Sequence, residues 1–363
     1  MRKHVLALCA IIAASTPARA DLLAFEEKDG AAQASFRIDG KPYTLDIRLL
    51  RPKAPVPGAA LFVDTAPEEG LDAFAVGRGM TVAAVDPEKL PTPARAAAVA
   101  DLIMRLRTAT GARRSLLRGK GETGAALSGA SVDGLLLQEA TTSATAPRVI
   151  ETWGADAYWR PTPRPTLAKE SENHRSYFLA GSAGASETSN CAAPVNPRSG
   201  DPALRALLVV LDDWTKGIKP PPSRAPTETD LVPAETLSWP KIPGLSAPSA
   251  SPRKVPKIDP DGNELSGLRL PDQALPIATF TGFNTQKDRK GAACVAGAAI
   301  PFSATKADRE KAGDPRPSLI ERYGSRAYFV ATMRVVADRL VKERLLLKED
   351  ADAYVAAARQ APF

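Results

Sequence analysis

The stretch GARRSLLRGKGETGAALSG, residues 111–129, constrains this chain more than any other. A short apolar strand (115–117) enters a glycine-rich bend, Gly119-Lys120-Gly121-Glu122-Thr123-Gly124. It leaves as a helix of small residues from 123 to about 131. Its neighbours repeat the strand-then-helix alternation. GMTVAAV (79–85) is a continuous apolar run, as expected of a parallel strand buried on both faces. Residues 93–108 then place Ala97, Val99, Leu102, Ile103 and Leu106 at helical spacing. Residues 59–63, 132–138, 148–151 and 175–180 read as further short strands, and 202–214 as an amphipathic helix with Asp201 as its expected cap. Ahead of them, 34–38 and 43–50 alternate as an antiparallel hairpin around Asp39-Gly40. Residues 276–281 suggest one more strand, and 318–324, 326–343 and 348–360 close the chain as helices. The pattern predicts an α/β fold: a mostly parallel sheet covered by helices on both faces.

The first twenty residues, MRKHVLALCAIIAASTPARA, read as a secretory signal. Arg2, Lys3 and His4 are a basic start, 5–14 an apolar run too short to span a bilayer, and Ala18-Arg19-Ala20 a small-x-small cleavage site. Cleavage after Ala20 would leave one domain over 21–363, in the periplasm or outside the cell. No later segment is apolar enough to cross a membrane. The formal charge of +7 is spread along the chain rather than gathered into a patch, which argues against nucleic acid as a partner. Proline crowds residues 220–260, an extended connection laid over a surface. Cys9 leaves with the signal. Cys191 and Cys294 remain, a candidate disulfide in an oxidising compartment, with two buried thiols as the alternative. Their spacing is not that of a metal site, and nothing calls for a cofactor.

Several longer stretches, DGNELSGLRLPDQALPIATFTGFN (261–284), GAAIPFSATKADREKAGDPRPSLIERYGS (297–325) and VADRLVKERLLLKEDADAYV (336–355), strongly resemble a bacterial branch of the alpha/beta hydrolases. NPRSGDPALRALLVVLDDWTKGIKPPPSRAP (196–226) and SYFLAGSA (176–183) match it too. The resemblance implies an alpha/beta-hydrolase fold with a serine, an acid and a histidine in that chain order. It places the serine on Gly121, the acid on Ala157 with Asp156 one residue away, and the histidine on Gly184.

Those positions lack the atoms that acyl transfer needs. A serine hydroxyl becomes a nucleophile only when a base takes its proton, and an acid must hold that base in the right tautomer. Glycine offers only backbone N–H groups and conformational freedom. Beyond the leader the sole histidine is His174, about ten residues ahead of the matched position. Weak substitutes are Asp156, His174 and Ser182, with Ser186 nearby. Thr123 and Ser128 lie on the helix, Thr123 as its expected cap, while Lys120 and Glu122 flank the apex as a possible ion pair or as solvated neighbours. Tyr158, Trp159 and Tyr177 suggest either an aromatic mouth or ordinary packing. The sequence thus predicts a catalytically degenerate hydrolase-fold protein. It would bind a small apolar or amphipathic ligand, or a partner, through Gly121, Glu122, Tyr158 and Trp159. The alternative is an active serine-type ester hydrolase with a rearranged site.

Overall fold

The computed structural model describes residues 19–54, 56–67, 69–142, 148–160, 165, 170–183, 190–249, 251–288, 294 and 296–363. The leader before Arg19, Gly184 and Ser186 lie outside the described residues. Three strands, β1 (Ala20–Lys28), β2 (Ala31–Ile38) and β3 (Lys41–Leu50), form an antiparallel meander. Asp39 and Gly40 both adopt positive φ in the second of its turns. The chain then alternates: β4 (Leu61–Asp64), α1 (Glu69–Gly77), β5 (Thr81–Val85), α2 (Arg95–Thr110), β6 (Ser115–Lys120), α3 (Gly121–Leu127), β7 (Gly134–Gln138), β8 (Val149–Gly154), β9 (His174–Leu179) and α4 (Asp201–Thr215). These build one nine-stranded sheet in the order β1-β2-β3-β5-β4-β6-β7-β8-β9. The strands are parallel from β5 to β9, and β3 joins β5 antiparallel.

The apolar runs of the central strands follow from burial on both faces. In β7, Leu135 and Leu137 enter the core under α2 and α3, while Leu136 enters the opposite core under α4. Leu117 and Leu116 of β6 divide the same way. Helix α4 puts Leu204, Leu207, Leu208 and Leu211 against the sheet. Gly200 holds its cap position and Asp201 is its first residue, so the expected Asp201 cap sits one residue inside the helix.

After α4 the proline-rich segment runs largely extended, with β10 (Leu231–Pro233) and β11 (Lys254–Pro256) paired antiparallel. A short α5 (Pro271–Ala274) precedes a hairpin of β12 (Ala278–Thr281) and β13 (Ala298–Pro301). The chain closes with α6 (Lys306–Ala312), α7 (Leu319–Tyr323), α8 (Arg326–Lys342) and α9 (Lys348–Ala358). Capping boxes start α6 at Thr305 with Asp308 and α7 at Ser318 with Glu321. No helix among the described residues is long and apolar enough to cross a membrane.

Cys191 and Cys294 form a disulfide across 103 residues, with Cα atoms 5.6 Å apart. It joins the segment after β9 to the segment between β12 and β13. Closing so long a loop restricts the unfolded chain. The double variant Cys191→Ser, Cys294→Ser should therefore lose about 2–5 kcal/mol of unfolding free energy, read from urea midpoints. An unchanged midpoint would contradict that role.

Candidate functional site

The bend between β6 and α3 has the geometry of a nucleophile elbow, a sharp turn from strand to helix. Gly121 sits at its apex with φ +56°. Gly119 and Gly124 touch beneath it: a Cβ on Gly119 would lie 2.6 Å from the Gly124 Cα, and one on Gly124 2.7 Å from the Gly119 carbonyl carbon. A Cβ on Gly121 would meet nothing within 4 Å. The apex thus has room for a side chain and carries none. Thr123 does not cap α3; its Oγ1 donates to Glu88 Oε1 at 2.9 Å, and Lys120 holds the cap position without capping the helix through its side chain. Ser128 stands at the far end of the helix. Glu122 is exposed on its first turn.

Acyl-transfer sites of this geometry also use an N–H from the loop after the neighbouring strand, here β4, to hold the developing oxyanion. The Thr65 N–H donates to the Arg118 carbonyl at 3.1 Å and the Ala66 N–H to Asp64 Oδ1 at 2.9 Å. Pro67 has no N–H, and Glu68 lies outside the described residues. A buried charge cluster fastens this loop. Arg118, fully buried, donates to Asp64 at 2.9 Å and to the Ala66 carbonyl at 2.7 Å, and its Nε to Gln138. Asp72 lies against Asp64 and takes Arg48 at 2.7 Å. Burial, then the charge and hydrogen bond of Asp64, push the Asp72 carboxyl up to about 7, with Arg48 and Arg118 opposing.

The acid and histidine positions fare as follows. Ala157 is fully buried in the turn after β8. Asp156 beside it is buried; burial pushes its carboxyl up, against the pull of Arg160. Its Oδ2 accepts from Arg160 Nε at 2.9 Å. Arg160 also clamps Glu139, donating to both its carboxylate oxygens at 2.9 and 3.0 Å. Ser182 is buried with its hydroxyl spent on the Leu179 carbonyl at 2.7 Å.

His174 opens β9 opposite Val149, whereas the elbow and the Asp156 turn stand at the carboxyl ends of the strands. Five strand steps put it roughly 17 Å from that end. Its Nε2 lies 3.3 Å from Glu151. His174 and Asp156 are therefore not brought together. Tyr158 and Trp159 do not form an aromatic mouth: Tyr158 packs edge-on against Phe178, and Trp159 against Trp239 and Phe283, beneath the proline-rich segment. Tyr177 is buried and donates to the Pro221 carbonyl.

At the carboxyl ends of β6 to β9 lies instead a cavity of about 410 Å³ with both polar and apolar walls. Lys120, Gln138, Glu139, Trp153, Ser182 and Asp201 are among its lining residues. Burial pushes Glu139 up, but the hydrogen bonds and charge of Arg160, with Lys120 beyond, outweigh it and hold the carboxyl below its usual value. Glu139 is one of the few non-glycine residues at positive φ, +53°. Sequence reading passed over Glu139 and Arg160 because nothing local links them; a carboxylate ending a buried strand was the only available signal.

The loop after β9 is held by the stretches that carried the resemblance. Glu264, fully buried, accepts the Gly181 N–H at 2.9 Å and the Gly282 N–H at 3.3 Å, and burial pushes its carboxyl up to about 7. Asn196 donates to the Gly181 and Thr281 carbonyls. Arg198, paired with Asp272, donates to the Ala180 carbonyl. Arg316 of GDPRPSL, paired with Asp314, binds Thr279 and the Ile300 carbonyl of the hairpin. Among the described residues no cluster of histidine, cysteine and carboxylate side chains is arranged to hold a metal ion.

A sequence profile described as alpha/beta hydrolase domain matches residues 119–356, more than half the chain. The chain belongs to that family. No curated protein matches it. Solved structures that share part of the fold include an alpha-beta serine hydrolase homologue from Coxiella burnetii (9% identity, 31% of this chain and 69% of that one, TM-score 0.26). Others are Est1E from Butyrivibrio proteoclasticus (13%, 31% and 51%, 0.26) and a cold-adapted esterase from an Arctic intertidal metagenomic library (17%, 36% and 74%, 0.26). The match spans about half the Butyrivibrio protein.

The Asp72 carboxyl gives the fold a pH dependence of known sign. A folded-state value near 7, above the 3.8 of a free aspartate, means its contribution is fully present below about pH 4 and is lost as pH rises through 7. Melting temperature should fall across that window. Asp72→Asn should flatten this part of the profile, and an unaltered slope would contradict the assignment.

Proposed function

We propose that this protein is an exported alpha/beta-hydrolase-fold protein that binds a ligand or partner without hydrolysing it. One observation carries the reading: of the chain's two histidines, His4 lies in the leader and His174 at the wrong end of the sheet. Neither histidine therefore stands beside the elbow to act as its base. Gly121 at the elbow and Gly184 at the matched histidine position agree with this. Among the described residues of the loop after β4, the Thr65 and Ala66 N–H groups are already engaged, which agrees with this reading. The basic, apolar and small-residue order of the leader, together with the disulfide, supports export.

The alternative active hydrolase needs a base near a hydroxyl or carboxylate in the cavity, and His174 is not available for it. Purified mature protein should turn over p-nitrophenyl acetate and butyrate no faster than buffer. Gly121→Ser should fold, at a cost of about 1–2 kcal/mol for a side chain at positive φ, and remain inactive because the base is still missing. Saturable turnover by the wild type would overturn the reading. The exported protein should begin at Asp21 by amino-terminal sequencing, and an intact leader would contradict export by cleavage.

A further inference from the structure

We infer that the cavity at the carboxyl ends of β6 to β9 takes a small, neutral, polyhydroxylated ligand of about monosaccharide size. The inference rests on the binding reading above and names the chemistry of the ligand. At about 410 Å³ the cavity is at the lower end of the ~300–1,000 Å³ range of small-molecule sites.

Its wall carries charges of both signs. Lys120 stands with Glu139 and Asp201, and Arg160 behind the wall is shared between Glu139 and Asp156. Asp201 lies in the first turn of α4, where the helix dipole favours a negative charge. A charged ligand of either sign would therefore meet like charge on the wall as well as opposite charge. An apolar one would strip water from these groups without replacing its hydrogen bonds. Hydroxyl groups answer both demands, since each donates and accepts.

The wall offers both kinds of partner, in fixed orientations. Glu139 is held ionised and immobile by the two-pronged contact with Arg160, on a backbone at positive φ. Such strained residues recur at binding sites, and an ionised acceptor makes the stronger hydrogen bonds to O–H groups. Gln138 gives its Oε1 to Arg118, which fixes the amide the other way round and leaves its NH₂ as a donor. The Ser182 and Thr152 hydroxyls are spent as donors on the Leu179 and Leu137 carbonyls, so they present acceptors.

The test is isothermal titration and thermal shift on the mature, oxidised protein. Its probes are D-glucose, D-galactose, myo-inositol and glycerol, set beside glycine, putrescine and octanoate. At least one neutral polyol should bind saturably with a dissociation constant of about 1 mM or tighter. Glu139→Gln should weaken it roughly 10-fold or more, as expected for loss of a charge-assisted bond. Asp201→Asn should weaken it too, which preserves the test should Glu139→Gln fail to fold. Saturation by only the charged or apolar probes, by none, or equally by both variants and the wild type would overturn the ligand class. Those outcomes leave the non-hydrolytic reading standing, because ester turnover tests that separately.

Discussion

The contact of Gly119 with Gly124 is the constraint on which the candidate site depends. Backbone atoms of the two residues meet where any Cβ would collide, so α3 can turn directly off the end of β6. That close approach forces the apex residue into positive φ and lifts it clear of the sheet. The sequence keeps both glycines and the apex conformation, yet puts at the apex a third glycine with no side chain to present. On the proposed reading, the geometry of an acyl-transfer site is separable from its chemistry: one is set by steric exclusion among small residues, the other by atoms that the backbone does not need.

The same separation appears on the far side of the cavity. Glu264, Asn196 and Arg198 hold the loop after β9 by its backbone groups, and Arg316 secures the hairpin behind it. These bonds end on backbone groups of residues 180 and 181, so they hold that part of the loop whatever side chains it carries. The stretches most recognisable as the family's are therefore the ones that stabilise architecture, which is why family membership says little about activity here.

Much of this architecture was legible in the sequence. The parallel strands announced themselves because burial on both faces demands unbroken apolar runs, as in Leu135-Leu136-Leu137. β1 was not legible: it is an edge strand with mostly exposed residues, so ADLLAFEEK carries no clean alternation. α1 and α6 were missed as well, α6 because its residues are almost all solvent-facing. The elbow was readable from its glycines, and so was its missing serine. The cavity was not, because Glu139, Arg160 and Asp201 come from three separate elements and share only the end of the sheet. Sequence leaves Tyr158 and Trp159 open between an aromatic mouth and ordinary packing. Their turn after β8 instead directs them under the proline-rich segment, against Phe178, Trp239 and Phe283.

The central claim is that a scaffold built for acyl transfer has no activated nucleophile. Intact-mass spectrometry of the mature protein after prolonged exposure to a fluorophosphonate addresses it most directly. The account predicts the unmodified mass; a single stoichiometric phosphonyl adduct, on any side chain, would contradict it.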